Sequence, residues 1–133
     1  MRIAPYPFYT VSVFMLAQFF DRLSNDPSSV SFSEVIELIN SQYDFSATRF
    51  TNGLGDNVVV NEAGTNEGSC RIFAFAKLHS LTEEQTLHCF GDYYRKDVLD
   101  NPANTDHANI RTFMRDGLSG IVFDAPALVA KVN

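Results

Sequence analysis

A chain of 133 residues makes one domain with a core of its own and leaves no room for a second, since domains run to about 100–150 residues. Hydrophobic residues are 45% of it, with 12 Phe and 5 Tyr, ample apolar surface to offset the ordering entropy that keeps disordered sequences open. A net charge of −6, with the basic residues scattered singly, excludes the basic stripe by which proteins hold nucleic acid or an anionic membrane surface.

In chain order, Pro5 and Pro7 hold the start extended, and a core helix is predicted from Phe8 to Leu23, where Val11, Met15, Phe19 and Leu23 recur at helical spacing and Leu16 and Phe20 widen the stripe. Ser12 and Gln18 interrupt its apolar run, which falls short of the roughly 20 residues a membrane span needs, and the start lacks the form of a secretory signal. No membrane insertion is expected. Residues 1–14 are expected as an N-terminal extension packed as the start of this helix, in which case Met15 is a natural initiator, and residues 15–133 as the domain proper.

After the turn Asn25-Asp26-Pro27-Ser28-Ser29, the capping box Ser31-Phe32-Ser33-Glu34 opens a second helix to about Gln42, burying Phe32, Val35, Ile36, Ile39 and Tyr43. Thr48-Arg49-Phe50-Thr51 and Val58-Val59-Val60, around the turn-forming Asn52 to Asn57, predict a hairpin, with Ile121-Val122-Phe123 as its third strand. Asn66 or Ser69 would cap a helix from Cys70 to Leu78, with Glu67 favourable in its first turn. A second capping box, Thr82-Glu83-Glu84-Gln85, opens a helix whose face reads Leu87, Phe90, Tyr94 and Val98; Gly91 inside it points to another element passing close by. Thr105 or Asp106 would cap the last helix, which buries Ile110, Phe113 and Met114 and stops at Gly117. The fold class that follows is α+β: a predominantly helical single domain with a small antiparallel sheet, the hairpin at about 48–60 plus a carboxyl-terminal strand at about 121–123.

Phe50-Thr51-Asn52-Gly53, Asn66-Glu67-Gly68-Ser69-Cys70, Phe90-Gly91 followed by Tyr94-Arg95, and Asp106-His107-Ala108-Asn109-Ile110-Arg111 with Phe113, in that order, resemble the HopJ type III effector family. The resemblance runs from about residue 15 to the carboxyl end and carries over no reaction, cofactor or catalytic residue. It implies export through a type III apparatus into a host cell for members from plant pathogens, and ordinary intracellular proteins elsewhere. An exported member would have a Ser-rich, weakly structured start; the start here is Phe-rich and helical, which fits a cytoplasmic protein. Two cysteines, Cys70 and Cys89, are too few for a disulfide framework and read as reduced thiols of a bacterial-type cytoplasm.

Two chemical readings of the residues compete. In the first, the polar loop 61–69 folds back on the 106–111 segment and the two form the cleft of a small binding or regulatory module. His107 and Arg111, four apart on one helix face, would meet a small anion or an acidic side chain, or else tie the helix to the loop. The binding residues expected are Asn52, Asn66, Glu67, Ser69, Tyr94, Arg95, His107, Asn109 and Arg111, for an unidentified protein or small-molecule partner that is not nucleic acid. In the second, the chain is a cysteine-dependent hydrolase or acyl transferase. Cys70 near a helix start would be the nucleophile, His107 its base and Asp106 or Asn109 the group that orients the imidazole. Against this stands the ordinary state of such a cysteine, a small buried hydrophobe. His79, His88 and His107 are never four apart, the cysteines are not closely spaced and no phosphate-binding loop is present, so no metal and no cofactor are expected.

Overall fold

The computed structural model describes residues 6–132. Helix α1 (Tyr6–Asn25) begins one residue before Pro7, which therefore sits in the first turn, where its missing amide hydrogen would have had no partner in any case. Of the start read as extended from Pro5 and Pro7, Tyr6 and Pro7 are helical instead, and residues 1–5 lie outside the described residues. A short 3₁₀ turn, Pro27–Ser29, leads to α2 (Phe32–Gln42), whose capping box forms in full: Ser31 Oγ accepts from the Glu34 amide at 3.3 Å, and the Glu34 carboxylate accepts from the Ser31 amide at 2.7 Å. Tyr43, four residues after Ile39, continues the helical spacing but opens strand β1 (Tyr43–Phe45) instead.

Strands β2 (Phe50–Asn52) and β3 (Val59–Asn61) make the predicted hairpin, and β4 (Ile121–Phe123) pairs antiparallel with β2 on its other side, giving the order β3-β2-β4. Strict alternation puts Phe50, Asn52, Asn61 and Ile121 on the buried face, while Thr51, Val60 and Val122 face outward. A second ribbon, β1 with β5 (Leu128–Ala130), closes the carboxyl end onto the middle of the chain; the sequence analysis did not foresee it.

Helix α3 (Glu67–Leu78) runs through the centre, with Ile72, Phe73, Phe75 and Ala76 fully buried. Phe73 is its hub: the ring stacks on Phe113 at 5.1 Å, tilts against Phe90 at 5.4 Å and meets Phe50 edge-on at 6.0 Å, so one side chain joins α3 to the last helix, to the hairpin and to the turn after the next helix. Burying a phenylalanine contributes about 1.5–3 kcal/mol, and geometry of this kind adds to it.

The helix expected from Thr82 to Val98 is two pieces. Helix α4 (Glu83–His88) has a complete box between Thr82 and Gln85, at 3.0 Å in each direction. The chain then breaks at Gly91, φ +59°, and resumes as a π-helical segment, Tyr93–Val98. The break has a steric cause. A Cβ on Gly91 would lie 2.7 Å from the Phe32 amide nitrogen, so the start of α2 occupies the space a side chain would need. Helix α5 (Ala108–Asp116) ends at Gly117, φ +70°, but it opens at His107, in place of the expected cap by Thr105 or Asp106. No helix among the described residues is long and apolar enough to cross a membrane.

Candidate functional site

Four carboxamides bind the loop before α3 to the start of α5. Asn52 on β2 and Asn61 on β3 are wholly buried, and both point from the inner face of the sheet toward Asn109 in the first turn of α5. Asn61 and Asn109 pair reciprocally, Nδ2 to Oδ1 at 3.1 Å and 2.8 Å. Asn52 Nδ2 donates to the Asn109 carbonyl at 2.9 Å and to its side-chain Oδ1 at 3.1 Å. Asn66 completes the chain by donating to Asn61 Oδ1 at 2.7 Å. The orientation is self-consistent, because turning Asn52 over would set its Oδ1 against two acceptors. As it stands, Asn52 Oδ1 is buried without a hydrogen-bond partner. Leaving such an atom unpaired costs about 1–3 kcal/mol, which marks the network as held in place by more than its own bonds.

The network brings two helix starts together. α3 follows Asn66 (φ +49°, ψ +47°) and α5 follows His107 (φ +53°, ψ +49°); both residues are left-handed, and neither helix has a side-chain cap on its first amides. A non-glycine residue in this region costs on the order of 1–3 kcal/mol, and such strain collects where a site needs it. Asn66, Gly68 and Ser69 from one start and His107, Ala108, Asn109 and Ile110 from the other line a cleft of about 350 Å³. Phe32, Val59, Phe90 and Tyr93 supply its apolar walls. Phe32 stands against the backbone of Gly68, where a Cβ would be 2.7 Å from the ring, and meets Tyr93 edge-on at 5.1 Å; Tyr93 in turn lies 5.2 Å from the His107 ring. Donors thus converge from two helix starts beside a row of three rings.

His107 is oriented by an acid that the sequence analysis missed: its Nε2 meets Asp97 Oδ2 at 3.0 Å, whereas Asp106 Oδ2 is 3.9 Å away. Asp97 lies ten residues upstream in the π-helical segment, and no local spacing marks it. Asp106 is engaged elsewhere, by Arg111 Nη2 at 2.8 Å, and Arg111 also donates to the carbonyls of Asp106 and Pro102. Arg111 therefore ties its own loop and does not line the cleft. Nor does Arg95, whose guanidinium gathers the carbonyls of Pro27, Val30 and His88 and clamps the turn before α2. Tyr94 is buried with its ring edge-on to His88, and Glu67 is half-buried in the first turn of α3 without lining the cleft.

Cys70 sits just inside the start of α3 but faces the core. It is 2% exposed, its Sγ is 4.0 Å from the Thr48 carbonyl, and it has no bond to His107. Burial pushes its thiol up from the ordinary value, the opposite of what a nucleophile needs, and Cys89, wholly buried, is pushed up to about 12. Among the described residues no group of three or more His, Cys, Asp or Glu is placed to hold a metal ion.

A crystal structure of VPA0580, described as a protein of unknown function, is similar in fold and sequence, with a TM-score of 0.82 and 48% identity, covering 87% of this chain and 93% of that one. No curated protein matches the chain. The sequence model of the HopJ type III effector protein family matches residues 16–128, the whole span from the middle of α1 to the start of β5, and the chain belongs to that family.

Proposed function

We propose that this protein is a small binding or regulatory module whose ligand occupies the cleft between the starts of α3 and α5. The observation that carries this reading is the convergence of Asn66 to Ser69 and His107 to Ile110, far apart in the chain, on one cleft with uncapped amides on both sides. Chemically the cleft suits a small molecule or side chain with a hydrogen-bond acceptor at one end and an apolar or flat body against Phe32 and Tyr93. Asn66, Ser69, His107 and Asn109 are the binding residues, Asn52 and Asn61 hold Asn109 in place, and Asp97 sets the His107 ring.

The test is a screen of small acceptor-bearing compounds by amide chemical-shift changes. Ligands should move residues 66–69 and 107–110, and Ala108→Trp, which fills the cleft from an exposed first-turn position, should abolish the shifts while leaving the fold intact. Hits that map elsewhere, or that survive Ala108→Trp, would remove this site. A cysteine-dependent hydrolase is not favoured, because the Cys70 thiol is buried, pushed up and unpaired with His107. The family description suggests export through a type III apparatus. We infer that residues 1–14, which precede the matched span, are an extension to the domain. Fusing residues 1–49, up to the start of β2, to a reporter with and without that extension tests both points.

A further inference from the structure

We propose that the hydrogen bond between Tyr43 and His79 is an acid-sensitive latch that holds α1 against α3 and the β1–β5 ribbon. His79 follows the last residue of α3, at the opposite end of that helix from the cleft. Three elements meet on its ring: α1 presents Phe20 at 4.9 Å, α3 presents Phe75 at 4.7 Å and β1 presents Tyr43 at 6.1 Å. Phe20 and Phe75 also stack on each other at 5.8 Å, so the imidazole closes a small aromatic cage.

The Tyr43 hydroxyl bonds His79 Nε2. Tyr43 is 7% exposed, and among the described residues Nε2 is the one hydrogen-bond partner of its hydroxyl, which assigns neutral His79 the tautomer that accepts at Nε2 and carries its proton on Nδ1. A second proton on Nε2 turns that acceptor into a donor, forces the buried hydroxyl to turn its hydrogen away, and puts a charge among three rings. Burial lowers the His79 pKa, and a hydroxyl that donates to Nε2 favours the neutral ring as well; among the described residues Tyr43 is the titratable group bonded to the ring, and burial pushes its phenol up.

The sign follows from linkage. A histidine that binds protons less well in the closed state than in the open one stabilises closure fully above its ordinary value near 6.5, and that contribution is lost as pH falls below it. Of the two helices α1 is the less deeply held: among its described residues Phe19 and Leu23 are buried, against six on α3, and it leaves Val13, Phe14 and Met15 exposed beyond the cage. Acid should therefore free α1 before it disturbs α3, whose Ile72, Phe73 and Phe75 are fully buried.

The experiment is hydrogen exchange of residues 16–25, corrected for intrinsic rate, at pH 7 and pH 5, together with the His79 titration read by NMR. Opening of α1 in the native chain should increase by up to about tenfold per pH unit, the limit for uptake of one proton. His79→Gln, which keeps a neutral acceptor, should stay closed at both pH values. Tyr43→Phe, read by titration alone, should raise the His79 pKa toward the ordinary value. The latch is refuted by α1 protection that does not change with pH, by the same acid opening in His79→Gln, or by a native His79 that titrates above its ordinary value because the rings favour the cation.

Discussion

Four of the helices begin in two contrasting ways. α2 and α4 are sealed: Ser31 with Glu34, and Thr82 with Gln85, satisfy their first amides in both directions. α3 and α5 are left open, each entered through a strained left-handed residue with no side-chain cap, and both face the same cleft. A chain that seals two starts by local sequence has the means to seal the others. On the proposed reading, leaving two open at a backbone cost keeps donors available to a ligand in the cleft.

The comparison can be broken most severely at Phe73, which sets α3 against α5 by stacking on Phe113. Phe73→Ala should lose about 3–5 kcal/mol in urea unfolding and abolish binding in the cleft, since the two open starts then lose their common alignment. Asn109→Ala strands parts of Asn52 and Asn61 and should cost about 2 kcal/mol, with the amides of Asn66 and Ser69 shifting although neither is mutated. At the sealed starts, Ser31→Ala and Thr82→Ala should each cost about 1 kcal/mol, measured the same way.

The open starts should respond in binding and hardly in stability. Asn66→Gly relieves a left-handed residue at the expense of one hydrogen bond at an exposed position, so stability should stay within about 0.5 kcal/mol of the native value while cleft binding weakens. A loss well above 1 kcal/mol would mean that Asn66 is a structural cap after all. The smallest effect separates the two sealed starts by pH. Hydrogen bonding to Arg22, at 2.8 Å for one of its bonds, holds the Glu34 carboxyl below the usual range, whereas Gln85 does not titrate. The Glu34 contribution is complete above the ordinary carboxylate value near 4.3 and is lost as pH falls through its lowered one. Amide exchange in the first turn of α2 should rise there, and that of α4 should not.

The sealed starts were legible in the sequence because S/T-x-x-E/Q is a local code. The three-stranded sheet was legible too, since β-branched runs around an Asn- and Gly-rich turn leave few alternatives. The β1–β5 ribbon escaped because three residues are too few for a period, and Tyr43 also satisfied helical spacing after Ile39. Gly91 was correctly read as a close approach, but its φ, and hence the break in the helix, depended on where the start of α2 comes to rest. The meeting of the 61–69 loop with the 106–111 segment was expected from polar residues seeking partners, and Asn61 with Asn109 is that contact. Which acid would orient His107 was not readable: Asp106 is adjacent in sequence, but Arg111 takes it, and Asp97 reaches the ring across a turn.

The burial of both thiols has a practical corollary. Cys70 on α3 and Cys89 after α4 are exposed by 2% and 0%, so neither can meet an alkylating reagent until the packing around it parts. Two single-cysteine variants would thus serve as built-in clocks for the breathing of two different faces of the interior. A compound that slows the Cys70 clock and leaves the Cys89 one unchanged would reveal that it has settled at the amino end of the central helix, without any assay of what the protein does.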